Sequence, residues 1–172
     1  METEPSPLGV PLAALIADAR ALDVDAFAAK HGKAFFMSVG GSTGNSKRPA
    51  DTDVQAGSPK TGEMSFLLYP IRKRRAGTLA FISVGRLEGN DIALADAAVS
   101  KLHASIREKD GVFTVQDESS RHGTFVDNRP VPARDAGPAV TLTPRCSVRF
   151  AAVNLVFLRA SDVLDLARAM GR

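Results

Sequence analysis

Apolar and polar side chains change places at every second position in a series of short stretches along the chain. The stretches are 65–72, 78–84, 104–107, 112–116, 123–126, 140–142, 147–150 and 154–158. A period of two sends successive side chains to opposite faces and predicts strands with one buried face. Turn residues separate the stretches: Asn90-Asp91, Lys109-Asp110-Gly111, Asp127-Asn128, and a Pro-containing connection at 129–138. Residues 34–39, A-F-F-M-S-V, read as one more strand. The stretches 65–72 and 78–84 read as a hairpin whose turn lies near Arg72-Lys73-Arg74-Arg75. Many short strands at regular spacing predict a mainly β fold, a sandwich of two packed sheets.

The period changes at both ends. Leu12, Leu15, Ile16 and Ala19 share one face at helical spacing over 11–21, with Pro11 suited to the first helical position. Asp23 is predicted to cap a second helix, 24–30, in which Val24, Phe27 and Ala28 face one way and Gly32 ends the run. Two consecutive helices invite comparison with a helix-turn-helix. The second is mostly alanine with one lysine, which does not suit a DNA recognition helix; both read as a lid packed on the sandwich. Ser161 is expected to cap a last helix, 162–170, packing through Val163, Leu166, Ala167 and Met170. Its early Asp162 and Asp165 and its late Arg168 follow the helix dipole. Residues 40–63 hold almost no large apolar side chain and read as a flexible inserted loop. Phosphorylation of Thr43, Thr52 or Thr61 would give that loop a regulatory role; a passive insertion is the plainer reading. The organisation expected is a helical extension at 1–32, a β-sandwich at 33–160 and a C-terminal helix at 161–172.

Composition narrows this picture. A chain of 172 residues, 44% of them hydrophobic, suits one domain with appendages and a sizeable core. Net charge is only +3. No long basic tail calls for nucleic acid, and none is expected as a partner. The run Arg72–Arg75 is read as a solvated turn rather than a patch for nucleic acid or acidic peptide. A strand of about seven residues, roughly 20 Å at ~3.3 Å per residue, should separate it from Arg86. Cys146 is the single cysteine, so no intrachain disulfide forms, which suits a reducing compartment. Residues 1–8 lack the basic start and apolar core of a signal peptide. No apolar run reaches the ~20 residues that span a bilayer. These readings predict a cytoplasmic protein with no membrane partner, and the wealth of Ala, Arg, Asp and Val hints at a bacterial source.

The candidate chemistry sits between 84 and 128. Gly85-Arg86 closes one strand, Ser100-Lys101-Leu102-His103 opens the next, and Ser119-Ser120-Arg121-His122-Gly123-Thr124 makes a third turn. No carboxylate pair, metal-ligand cluster or nucleophile–base arrangement recurs across these turns, so neither a metal nor an organic cofactor is expected. Guanidinium, ammonium and hydroxyl groups do recur. They suit a dianion such as a phosphate monoester: Arg offers parallel N–H donors, Lys a point charge, Ser a hydroxyl, and Gly-containing turns open backbone N–H groups.

The ordered set Gly85-Arg86, Asn90-Asp91-Ile92, Ser100-x-x-His103 and Gly123-Thr124-Phe125-Val126 resembles the forkhead-associated (FHA) domain family. The resemblance is close from 84 to about 128 and looser from about 34 to 158. It implies an FHA-type β-sandwich with binding loops at one end, where binding residues gather on a rigid scaffold. It also implies a phosphothreonine-peptide binding module with no catalytic activity, a signalling adaptor downstream of a Ser/Thr protein kinase. The partner would be a phosphothreonine-containing protein, such as that kinase or its substrate. By the same resemblance Arg86 and Ser100 contact phosphate, Lys101 supports phosphate or peptide backbone, and Arg121 and His122 meet the peptide. Gly85, His103, Gly123, Thr124 and Asn128 support the binding loops. The chain departs from the family at three places. His122 stands where Asn is usual, Asp127-Asn128 replaces Asn-Gly, and Glu118 replaces an apolar residue. The alternative reading is a phospho-independent scaffold with a diverged pocket, its partner surface made by the N-terminal helices or the basic run. The oligomeric state is left open.

Overall fold

A computed structural model of the chain describes residues 8–38, 66–74 and 79–171. The inserted stretch 40–63, with Thr43, Thr52 and Thr61, lies outside the described residues, as does Arg75.

Twelve strands are described: β1 (Val10–Pro11), β2 (Ala34–Ser38), β3 (Leu67–Pro70), β4 (Ile82–Gly85), β5 (Ile92–Ala93), β6 (Ala104–Lys109), β7 (Val112–Asp117), β8 (Thr124–Val126), β9 (Arg129–Pro130), β10 (Val140–Thr141), β11 (Ser147–Phe150) and β12 (Val153–Arg159). They form a seven-stranded sheet, β1-β3-β2-β12-β11-β8-β9, and a five-stranded sheet, β10-β7-β6-β4-β5. All pairings are antiparallel except β4 with β5. The helices are α1 (Ile16–Ala21), preceded by the 3-10 turn Leu12–Leu15, then α2 (Val24–His31) and α3 (Ala160–Met170).

The arrangement has three layers, and the burial pattern explains two features of the sequence. In the five-stranded sheet β7 alternates, with Phe113 and Val115 pointing into the sandwich beside Ala104 and Ile106 of β6, whereas β4 is buried throughout. The β3-β2-β12 part of the seven-stranded sheet is covered on both faces. Ala34, Phe36, Leu155 and Phe157 join the core between the sheets, while Phe35, Leu68 and Leu158 meet the helices. Double coverage makes β2 apolar almost throughout, A-F-F-M, rather than alternating. The helical layer seals against this outer face through Leu12, Leu15, Ala19, Phe27, Val163, Leu164 and Ala167. Each large side chain buried there contributes about 1.5–3 kcal/mol. Arg168 reaches from α3 to the end of α1, its Nε donating to the Ala19 carbonyl at 2.7 Å and its Nη2 to that of Leu22 at 2.9 Å. It satisfies carbonyls that a helix C-terminus leaves open.

Four expectations change. The stretches 65–72 and 78–84 are not a hairpin: β3 pairs β1 and β2 in one sheet, β4 pairs β5 and β6 in the other. Both have the alternation of half-buried strands, and alternation does not say which partner a strand takes. The N-terminal stretch is not helical throughout but begins with an edge strand on β3. Ser161 lies inside α3 and does not cap it; the Asp162 carboxylate accepts the Arg159 N–H at 3.0 Å. Leu164 is buried in α3, whereas Met170 is exposed.

Two hairpins end at tight turns. Lys109 pairs with Val112 across Asp110-Gly111, and Val126 with Arg129 across Asp127-Asn128. All four turn residues have positive φ, 52° and 77° in the first and 47° and 63° in the second. This is the two-residue turn that matches strand twist, and Asp and Asn tolerate it.

Candidate functional site

β4 runs toward Gly85, β6 starts at Ala104 and β8 at Thr124, so one end of the sandwich gathers three loops: 86–91, 95–103 and 118–123. They meet at Ser100. Its N–H donates to His103 Nδ1 at 3.1 Å, its carbonyl accepts the Arg86 N–H at 2.9 Å, and its Oγ accepts the Arg121 N–H at 3.0 Å. One half-buried serine thus ties the Arg86 loop, the His103 strand start and the Arg121 loop together.

Close approach makes Gly85 necessary. A Cβ at that position would lie 2.2 Å from the Lys101 carbonyl oxygen and 2.8 Å from Asn90 Nδ2. Asn90, itself buried, donates from Nδ2 to the carbonyls of Leu87 at 2.9 Å and Lys101 at 2.8 Å. It closes the Arg86 turn and fastens it to the next loop.

His103 is fully buried against the edge of Phe150. Because its Nδ1 accepts from Ser100, the ring proton resides on Nε2, which donates to the Gly123 carbonyl at 3.0 Å. Burial holds its pKa below the ordinary histidine value, and the neutral ring is the form these two bonds require. His103 therefore links the second loop to the third.

The third loop is organised by Asp117, a buried carboxylate that the sequence reading did not single out. It accepts the Ser120 N–H at 2.9 Å, the Ser120 hydroxyl at 2.6 Å and the Thr124 hydroxyl at 2.7 Å. Ser120 Oγ in turn accepts the Gly123 N–H at 2.9 Å. Ser119 and Gly123 take positive φ, 57° and 79°, to let the chain double back. The signal was present. Phe113, Val115 and Asp117 share the inward parity of β7, and an inward carboxylate must find donors, which Ser120 and Thr124 supply.

A second carboxylate missed in the sequence supports the first loop. Asp91 is buried and accepts from Lys73 Nζ at 2.8 Å, from the Arg74 N–H at 2.9 Å, and from the Ser83 N–H and hydroxyl at 2.9 and 3.1 Å. Burial pushes its pKa up, but the Lys73 ammonium and the Arg74 and Ser83 hydrogen bonds outweigh it, and the net shift is downward. Arg74 Nη1 also donates to the carbonyls of Glu88 at 2.9 Å and Asn90 at 3.0 Å. Lys73 and Arg74 are thus not a solvated turn far from Arg86; they grip the turn that follows it.

On this braced platform Arg86, Lys101, Arg121 and His122 are exposed. Arg86 Nη1 donates to the Ala97 carbonyl at 3.1 Å. Among the described residues none of the four forms an ion pair; in particular Arg86 pairs with neither Glu88 nor Asp91. Glu118 does not add charge to this rim: Ser105 donates to it at 2.5 Å and Arg134 pairs with it. The three loops can therefore present several N–H donors and positive charges to one anion. Gly123 ends the third loop at the His103 bond, and the buried Thr124 opens β8 directly after it. Asn128 sits at the other end of β8, in the β8–β9 turn, where Asp127 rather than Asn128 holds the neighbouring strand by accepting the Ser147 N–H at 2.9 Å.

Part of the chain is similar to known proteins. Residues 82–151 match the model of the FHA domain family. Over 48 residues the chain is 44% identical to the oxoglutarate dehydrogenase inhibitor of Corynebacterium diphtheriae, covering 28% of this chain and 34% of that protein. Over 49 residues it is 45% identical to the glycogen accumulation regulator GarA of Mycolicibacterium smegmatis, covering 28% and 31%. The match thus spans about a third of each relative's length. Among solved structures, Mycobacterium tuberculosis EmbR, in complex with a low-affinity phosphopeptide, is 21% identical, with a TM-score of 0.46 over 86% of this chain and 28% of EmbR. An FHA domain studied for phosphothreonine-dependent interactions is 19% identical, with a TM-score of 0.46 over 73% of this chain and 95% of that one. No helix among the described residues is long and apolar enough to cross a membrane.

Proposed function

We propose that the chain is a phosphothreonine-peptide binding module, an adaptor that docks onto a protein marked by a Ser/Thr kinase. The observation that carries this reading is the convergence at Ser100 of three braced loops bearing Arg86, Lys101, Arg121 and His122, with no carboxylate paired to any of them among the described residues. A phosphate dianion supplies the missing charge and acceptor oxygens. Arg86 provides the guanidinium, Ser100 a hydroxyl whose proton is still free to donate, and Lys101 a second positive charge. His122 and Arg121 meet the flanking peptide.

The module binds and does not catalyse. Both ring nitrogens of His103 are committed within the loops, and Ser100 contacts that ring through its N–H rather than its hydroxyl. Among the described residues no base is hydrogen-bonded to the Ser100 hydroxyl to activate it as a nucleophile. The chain is read as cytoplasmic, where kinases and their substrates meet it.

The test is capture of a partner from bacterial lysate by the immobilised chain, with and without phosphatase treatment. Capture lost on phosphatase treatment and with Arg86→Ala supports the reading. Capture that survives both would place the partner surface elsewhere and favour a phospho-independent scaffold.

A further inference from the structure

A second concave surface lies at the opposite pole of the sandwich. β4 runs from Ile82 toward Arg86, and β6 runs away from His103 toward Lys109, so Ala80–Ile82 and Ile106–Glu108 lie at the end distal to the three loops. With residues beside α2 and after β3 they enclose a groove of about 430 Å³. Its floor is apolar: Ala28, Ala29, Ala80 and Phe81 carry the accessible surface, backed by the buried Ile82 and Phe113. Its rim is basic. Lys33, Arg72, Lys73 and Arg107 line it against one carboxylate, Glu108. Glu108 is engaged by Lys33 at 3.0 Å and Lys73 by Asp91 at 2.8 Å. Arg72 donates only to a carbonyl, that of Lys30, at 3.1 Å, and Arg107 is exposed. Neither arginine has a carboxylate partner among the described residues.

We propose that this groove is a second docking site, and that it takes an unphosphorylated acidic peptide segment of a partner protein, one apolar side chain seated on the floor. The volume falls within the range of sites that hold a few side chains, ~300–1,000 Å³. The two unpaired arginines give charge complementarity to Asp or Glu on either side of the apolar anchor. Nucleic acid fits less well, because stacking needs a free ring face. Phe113 is buried and Arg134 lies over Phe81, 5.4 Å from its centroid. The groove shares none of Arg86, Ser100, Lys101, Arg121 and His122, although Lys73 both lines it and braces the Arg86 loop through Asp91; the module would hold a phosphorylated segment on the loops and an acidic one in the groove.

The probe is a fluorescein-labelled pool of unphosphorylated dodecapeptides with Asp or Glu alternating with Leu, Ile or Phe, titrated with the full chain and read by anisotropy. Saturable binding is expected, weakened at least threefold by Arg72→Gln and at least tenfold by Arg107→Glu. Arg86→Ala and an excess of phosphothreonine peptide should leave it unchanged. Melting curves on each variant separate loss of the groove from loss of the fold; Arg107 is exposed, and its variant should melt with the parent. No saturable binding, no effect of Arg107→Glu, or loss with Arg86→Ala would overturn the proposal. Tighter, Arg107-dependent binding of an oligothymidylate would overturn it in favour of nucleic acid, and a dimer of the chain that Arg107→Glu abolishes and the peptide probe dissociates would overturn it in favour of a second copy. Failure of the phosphothreonine reading would leave these outcomes untouched.

Discussion

The two tiers of the loop end differ in almost every physical respect. Beneath lie Asn90, Asp91, His103, Asp117 and Thr124, each buried and each engaged by neighbouring groups. Above lie Arg86, Lys101, Arg121 and His122, exposed and without ion pairs among the described residues. The lower tier spends its polar groups on the protein; the upper tier keeps them for something else. Long cationic side chains lose rotamer freedom on binding, and a rigid base limits the further loss to those side chains alone. Separating the tiers should therefore separate stability from affinity.

The largest effect is expected from Asp117→Ala. Truncation leaves the Ser120 N–H and two hydroxyls without their acceptor, costing about 3 kcal/mol of stability at ~1–3 kcal/mol per stranded group. Chemical denaturation should show it, and phosphopeptide binding should vanish with it. Gly85→Ala comes next. Its methyl meets the Lys101 carbonyl, and overpacking of this kind costs about 1–3 kcal/mol. Arg86→Ala should do the reverse, leaving the denaturation midpoint where it is while phosphopeptide affinity falls about tenfold to a hundredfold. A comparable loss of stability with Arg86→Ala would erase the distinction between tiers. Arg74→Met, which removes the donor to Glu88 and Asn90, should weaken binding by roughly fivefold at ~1 kcal/mol for a net hydrogen bond.

The smallest effect concerns pH. The folded chain holds His103 below its unfolded value of ~6.5, so the unfolded chain takes a proton first as pH falls. Stability from the neutral ring is present above that value and declines below it. Asp91 has a lowered folded value, so its contribution is present above ~3.9 and is lost as pH falls through the folded value. Peptide-free melting from pH 8 to 5 should decline gently as the unfolded chain gains the proton that folded His103 resists. Affinity should decline further below ~6, where the phosphate takes its second proton.

The placing of Arg86, Lys101, Arg121 and His122 on exposed loops was legible because the motifs that carry them are local. Gly85-Arg86, Ser100-x-x-His103 and Gly123-Thr124 fall within turns whose order along the chain is also their order in the fold. The lower tier was less legible. Asp117 acts through nearby Ser120 and Thr124 and shows only as an inward carboxylate of β7, whereas Asp91 acts through Lys73, Arg74 and Ser83, which the fold brings to it. The false hairpin at 65–84 and the misplacement of the basic run have one cause: alternation reports a buried face but not a strand's partner. Asn128 was expected to brace the loops because of its place in the pattern, yet β8 carries it to the other end.

The most direct test of the phosphothreonine reading is an anisotropy titration of the chain against a degenerate phosphothreonine peptide pool. Matched phosphoserine and unmodified pools and the Arg86→Ala protein serve as controls. Saturable binding that requires phosphothreonine and falls at least tenfold with Arg86→Ala is the predicted result. Equal binding to the unmodified pool, or binding indifferent to Arg86, would contradict the account.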